Sequence, residues 1–214
     1  MACAICKVRK PRRICPGVRG EICSICCGTE REVTVSCPFD CEYLRDARKH
    51  DREVPIDPAT AGDPDIHITE ETLQKNEALL GILAERLVGA ALATPGVVDF
   101  DIREALQALI RTFRTLASGL YYQTVPQNPM AASVFRALET GAEEYRKQET
   151  AELGMTRTRD SDILAMLVFL ERLELDRNNG RRRGRAFLHY LSHSYPTVAS
   201  ATSGGAAISP LAIS

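Results

Sequence analysis

The sequence predicts a mainly α-helical protein in two parts. A small cysteine-rich module stands at the N-terminus, and an α-helical domain of four or five helices follows it. Three observations lead there. All eight cysteines lie within the first 41 residues, and none follows. From residue 69 onward apolar side chains recur at steps of three and four, the period of an amphipathic helix. Between these regions, residues 53–68 carry three prolines and four acids, which suits an extended linker or a strap across another surface. The expected organisation is therefore a module over 1–52, a linker over 53–68, a helical domain over 69–194 and a tail over 195–214. That tail is rich in Ala, Ser and Gly, carries no charge, and is expected to be disordered.

The cysteines are Cys3, Cys6, Cys15, Cys23, Cys26, Cys27, Cys37 and Cys41. Cys3 and Cys6 form one CxxC pair, and Cys23 and Cys26 form another. A CxxC turn points both sulfurs the same way and lets backbone amides bond to them. Two such turns facing each other complete a tetrahedron of thiolates, the usual shell of structural zinc. Four cysteines remain, as many as a second closed site needs. The expected assignment is Cys3, Cys6, Cys23 and Cys26 on one zinc and Cys15, Cys27, Cys37 and Cys41 on another, interleaved as in a cross-brace. Two alternatives stay open. Glycine usually follows the second cysteine of a zinc turn, so Cys26-Cys27-Gly28 would pair Cys23 with Cys27, and His50 could replace a cysteine. Disulfides are disfavoured because no apolar signal run opens the sequence, which points to a reducing, cytoplasmic setting. The spacings fit no ferredoxin, and no βαβ pattern surrounds either CxxC. The apolar residues of the first 50 positions are too few to fold without a staple. Sites closed by four thiolates leave no place for a reactive water, so the metal is expected to be a scaffold.

The helices follow from period and caps. Thr69 opens a first helix running to Ala93, with Leu73, Leu80, Leu83 and Leu87 on one face, and Pro95-Gly96 ends it. Asp101 with Glu104 resembles a capping box ahead of the stripe Ile102, Leu106, Leu109, Phe113, Leu116 and Leu120. Asn128-Pro129 opens a third helix, with Val134, Leu138, Ala142 and Tyr145 inward. Asp160 or Ser161 opens a fourth, which is apolar nearly all round at first and therefore central; Asn179-Gly180 ends it. A short fifth carries Ala186, Phe187, Tyr190 and Leu191.

Charge is balanced, 27 basic against 28 acidic residues, so only a local patch could draw nucleic acid or an anionic membrane. No apolar run approaches the ~20 residues that span a bilayer. Two basic patches exist. Residues 7–19 hold Lys7, Arg9, Lys10, Arg12, Arg13 and Arg19, which would offset the negative charge of zinc–thiolate centres. Residues 177–185 hold Arg177, Arg181, Arg182, Arg183 and Arg185, expected as a solvated helix cap. His189 and His193 stand four apart but lack the glutamate of an HExxH site. Glu143-Glu144 and Glu171/Glu174 are expected on exposed helix faces. No phosphate loop, nucleophile elbow or dinucleotide fingerprint occurs, so no catalytic residue is assigned.

The run Cys3-Ala-Ile-Cys6, Cys15-Pro16 and Cys23-Ser24-Ile25-Cys26 resembles the opening of HIT-type and related cross-brace zinc fingers. That resemblance implies a protein-interaction module. It covers about 25 residues and departs at Cys37-Pro-Phe-Asp-Cys41, where those fingers use His and Cys. A second set of residues resembles an uncharacterised bacterial family of zinc-ribbon-like proteins: Cys26-Cys27-Gly28-Thr29, Arg31-Glu32-Val33, Cys37-Pro38, Asp40-Cys41, Tyr43-Leu44 and Asn178-Asn179-Gly180-Arg181. It implies a fold and a location but no activity. The expected function is a non-enzymatic zinc-scaffolded adaptor that binds a protein partner, for instance through residues 29–36. The alternative is nucleic-acid binding through residues 7–19 and 177–185.

Overall fold

The computed structural model describes residues 2–50, 63–120 and 122–195. Most of the expected linker, residues 53–62, and the expected tail from 196 onward lie outside the described residues. The described residues contain one two-stranded sheet and eight helices, which corrects the expectation of four or five. Two of the eight belong to the cysteine-rich segment, where no helix was expected. Six follow from Glu70, because the first expected helix divides in two.

The module begins with an antiparallel hairpin, β1 (Arg13–Cys15) and β2 (Gly20–Ile22), with Arg13 opposite Ile22 and Cys15 opposite Gly20. A short helix, α1 (Ser24–Glu30), leaves directly from β2, and α2 (Glu42–Arg48) follows a loop. Apolar burial here is thin. Ile22 anchors one small cluster with Cys3, Cys23 and Cys26, while Val35 and Leu44 anchor another with Cys37. Sulfur thus supplies much of the module's core.

The division of the first long helix falls at Asn76. Thr69 caps α3 (Glu70–Lys75) by accepting the Thr72 N–H at 3.2 Å. At Asn76 the backbone leaves helical geometry, and the side chain donates to the Thr72 carbonyl at 2.9 Å. A side chain that bonds local backbone competes with the helix. From there α4 (Glu77–Ala93) runs on, burying Leu79, Leu80, Leu83 and Leu87.

α5 (Asp99–Ala117) starts two residues earlier than Asp101. The Asp101 carboxylate accepts the Val98 N–H at 2.9 Å, which satisfies an otherwise orphan donor of the first turn. Ile102, Leu106, Leu109 and Phe113 are buried as expected, but the helix stops at Ala117 and Leu120 is 68% exposed. Asn128 caps α6 (Pro129–Leu153), which ends on a left-handed Gly154. α7 (Asp160–Arg177) is buried along most of its first three turns, and α8 (Ala186–Ser194) closes the described structure.

These helices form one bundle. α4 packs on α6, α5 on both α6 and α7, and α8 against α4, α5 and α7. A single apolar core joins them, with Leu83, Leu87, Leu106, Leu138, Val168, Phe187 and Leu191 fully enclosed. Truncating any of these leucines to alanine costs about 2–5 kcal/mol. Residues 63–68 lie against the bundle. Ile66 and Ile68 pack on the core, Arg114 pairs with Asp63 and Asp65, and Arg172 donates to the carbonyls of Asp63 and Ile66. Tyr195, placed in the tail by sequence, also packs on the core. Among the described residues no helix is long and apolar enough to cross a membrane.

Candidate metal centre

The chain brings Cys3, Cys6, Cys23 and Cys26 together by three local devices. The first CxxC turn closes on itself, with the Lys7 N–H donating to the Cys3 carbonyl at 2.9 Å and Lys7 in the left-handed region at φ 57°. The hairpin then carries the second CxxC to it, through Ala4 N–H to the Glu21 carbonyl and Arg12 N–H to the Ile22 carbonyl, both 2.9 Å. Finally Cys23 caps α1, its sulfur accepting the Cys26 N–H at 3.4 Å, while Cys3 Sγ accepts the Cys23 N–H at 3.3 Å. The four sulfurs all lie within 4.8 Å of one another, so this set can chelate one metal ion.

The electrostatics suit a cation at the centre. Burial pushes the Cys3 thiol up, but the N–H groups of Cys23, Cys6 and Ile5 pull it down further, to about 6. The Arg9 and Val8 N–H groups lower Cys6. Cys26 is pushed up to about 12 by burial and by its three sulfur neighbours. Four sulfurs this close cannot all ionise alone, whereas a divalent ion removes the conflict. Arg9 bonds the Cys23 sulfur and is raised by it, so part of the basic patch compensates thiolates as expected.

The alternative pairing of Cys23 with Cys27 is not what the fold adopts. Cys26 joins the converging set, and Gly28 continues α1 with no left-handed turn for a glycine to serve. Lys7 takes the left-handed position after Cys6 instead. His50 is exposed just past the end of α2 and stands outside the set.

Cys15, Cys27, Cys37 and Cys41 do not converge as tightly. Among the described residues only the first set forms such a group, so one site is established and not two. The second four do line a common cavity of about 10 Å³, together with Arg13, Arg31 and Tyr43. Arg13 Nη1 donates to Cys27 Sγ at 3.2 Å and its guanidinium lies 4.5 Å over the Tyr43 ring. Gly17 brings the Cys15 and Cys37 segments together: a Cβ there would lie 2.5 Å from the Ser36 carbonyl oxygen. Cys37 is pushed up by burial and by the Glu32, Cys41 and Cys15 charges, against the Glu32 N–H.

A polar junction that sequence reasoning missed joins the module to the helices. Glu32 is 1% exposed and sits in the left-handed region at φ 53°. Its carboxylate accepts Arg48 Nη2 and Asn179 Nδ2, each at 2.9 Å, and the Arg185 N–H at 3.2 Å. Its carbonyl accepts the Arg183 N–H at 2.7 Å. Arg181 Nη1 donates to the Arg31 carbonyl at 2.6 Å, and Arg185 Nη2 donates to the Cys37 carbonyl. The expected solvated cap is therefore in part a docking loop, in which Arg182 and Arg183 stay exposed, and within residues 29–36 Glu32 and Val35 turn inward while Thr29, Val33, Thr34 and Ser36 face solvent. Behind the loop, Glu171 and Glu174 are buried, not exposed as expected. Glu174 binds Arg103 and Asn178, and Glu171 accepts from Gln107 at 2.9 Å. Glu143 and Glu144 are exposed as expected.

His189 and His193 stack at 4.2 Å beside a surface cleft of about 410 Å³ that Arg48 and Tyr190 also line. Burial, then the charges of Arg48, His193 and Arg45, push His189 down to about 4. No third ligand joins them among the described residues. The chain matches no family model, no curated protein and no solved structure.

Proposed function

We propose that this protein is a non-enzymatic, zinc-scaffolded binding protein, an adaptor that recognises a protein partner in the cytoplasm. One zinc sits on Cys3, Cys6, Cys23 and Cys26, and a second on Cys15, Cys27, Cys37 and Cys41. The observation that carries this is the convergence of the first four sulfurs into a closed set, which leaves no ligand position for chemistry. The second zinc is supported by the shared small cavity and by the close approach at Gly17. A protein partner is supported by Val8, Ile14 and Ile25, which the module leaves 84%, 73% and 52% exposed around its zinc turns.

The nucleic-acid alternative is weakened by where the basic side chains go. Arg9 and Arg13 serve cysteine sulfurs, and Arg181 and Arg185 serve the junction. A nucleic-acid binder needs several uncompensated cations along the phosphates. Elemental analysis and native mass spectrometry test the metal: two zinc ions per chain are expected, and iron with visible absorbance would overturn the proposal. Titration with single- and double-stranded DNA and RNA at two salt concentrations tests the partner class. Micromolar, salt-sensitive binding that disappears in the Arg182→Ala, Arg183→Ala double variant would promote the alternative.

A further inference from the structure

The junction between module and helices has a one-sided anatomy. Every module atom named above as bonded to residues 179–185 belongs to residues 28–48: the carbonyls of Arg31, Glu32 and Cys37 and the carboxylate of Glu32. Arg181 also reaches the Gly28 carbonyl at 3.5 Å, and Arg48 the Arg185 carbonyl at 3.2 Å. Three of the second four cysteines frame this segment. Cys27 precedes it, Cys37 lies within it, and Cys41 stands at the start of α2, which carries Arg48. None of the converging cysteines, Cys3, Cys6, Cys23 and Cys26, falls in it.

The segment's own restraints are local: the N–H groups of Val33, Thr34 and Val35 donate to the Glu30 carbonyl, and Val35, Cys37 and Leu44 form one small apolar cluster. Between α1 and α2 only an isolated bridge, Arg31 with Val35, interrupts the loop, and its buried apolar side chain is Val35. The two apolar clusters of the module are separate from the core of the bundle, against which Phe39 packs from the module's apolar residues. The receiving side is firm. Asp99 accepts the Phe187 and Leu188 N–H groups at 3.0 and 3.1 Å, its own N–H donates to the Gly184 carbonyl at 2.9 Å, and Glu174 holds Asn178 at 2.5 Å. A hydrogen-bonded contact with one firm side and one side shaped by sulfur ligation behaves as a latch. Opening it requires breaking polar bonds at the junction and exposes little apolar surface.

We propose that metal bound by Cys15, Cys27, Cys37 and Cys41 latches the module onto residues 179–185 through Glu32, and that losing this metal releases the module and frees Arg181 and Arg185 to join the already exposed Arg182 and Arg183. The inference rests on the second-zinc proposal. In it the first zinc holds the two CxxC turns and the hairpin together, while the second reports zinc availability by freeing a basic loop.

The test uses the full chain, loaded with zinc and counted by native mass spectrometry. Wild type, Cys41→Ser, Cys6→Ser and Glu32→Gln are compared by tryptic cleavage after Arg181, Arg182 and Arg183, and by hydrogen exchange of residues 180–188. Cys41→Ser is expected to lose one zinc and be cut in this loop at least about tenfold faster, as local opening becomes easier. Glu32→Gln is expected to keep both zincs and be cut as fast as Cys41→Ser. Cys6→Ser is expected to lose the other zinc with less than about a threefold change in the loop. Should Cys41→Ser fail to fold, limiting chelator on wild type replaces it, with cleavage followed against the zinc count and reversed by added zinc. A wild type holding one zinc would overturn the two-zinc reading and the latch with it. Two zincs, with loss of the second leaving cleavage unchanged, would overturn the latch and leave the two-zinc reading standing.

Discussion

Asp99 makes the stability of the protein depend on pH in an unusual direction. Its carboxyl is fully enclosed and caps α8 through two N–H groups. Burial pushes it up to about 7, the Phe187 and Leu188 N–H groups pull it back, and the Glu174 and Glu32 charges push it up again. In the unfolded chain an aspartate titrates near 3.9. Between these values the folded state holds the extra proton, so folding is favoured most below about pH 4 and the gain is lost as pH rises through 7. Three pH units at about 1.4 kcal/mol each give a total of about 4 kcal/mol. Roughly 2 kcal/mol of that falls between pH 5.5 and 8.5. Urea unfolding of the zinc-loaded protein, followed by helical circular dichroism, measures it. Asp99→Asn removes the titration while keeping an acceptor for α8. The difference in stability between wild type and Asp99→Asn isolates this group, because all other titrations are common to both. It is expected to shift against the wild type by about 2 kcal/mol as pH rises over this range. A difference that is flat, or that moves toward the wild type, would show that Asp99 is ionised in the folded protein and that the cap outweighs burial.

Other perturbations separate the parts. Gly17→Ala should drive Ser36 away from the Cys15 turn and weaken the proposed second zinc by roughly tenfold or more, read by competition with a chromophoric chelator. Glu32→Ala leaves Arg48 without its buried partner and should cost about 3–5 kcal/mol, a fall of roughly 10 °C in melting temperature. Full chelation should unfold the module but leave the bundle. α1 and α2 supply 7 helical residues each against 94 in α3–α8, so ellipticity at 222 nm should fall by no more than roughly an eighth.

What sequence revealed and what it hid divide by range. The starts at Thr69 and Asn128 were legible because a cap bonds only two or three residues ahead. The first metal site was legible because two CxxC turns carry their geometry within four residues each. The division at Asn76 was not, since asparagine is tolerated in many helices and the break depends on its bond back to Thr72. Glu171 and Glu174 were misplaced because glutamate is normally exposed. Their burial depends on Gln107 and Arg103, supplied by another helix. One clue was available: a helix apolar nearly all round is central, so acids on it must find partners inside. The junction gave no periodic signal at all. Its members are polar, and Glu32 and Asn179 lie 147 positions apart.

That separation bears on how such chains can change over generations. Arg31-Glu32 and Asn178-Asn179-Gly180-Arg181 touch each other directly. A substitution at Glu32 takes the carboxylate from Asn179, and one at Arg181 takes the side-chain donor from the Arg31 carbonyl. Repair must then come from the far end of the gene, as a second-site suppressor, and a chimera that exchanges only the first 50 residues between two such proteins inherits half of a matched pair.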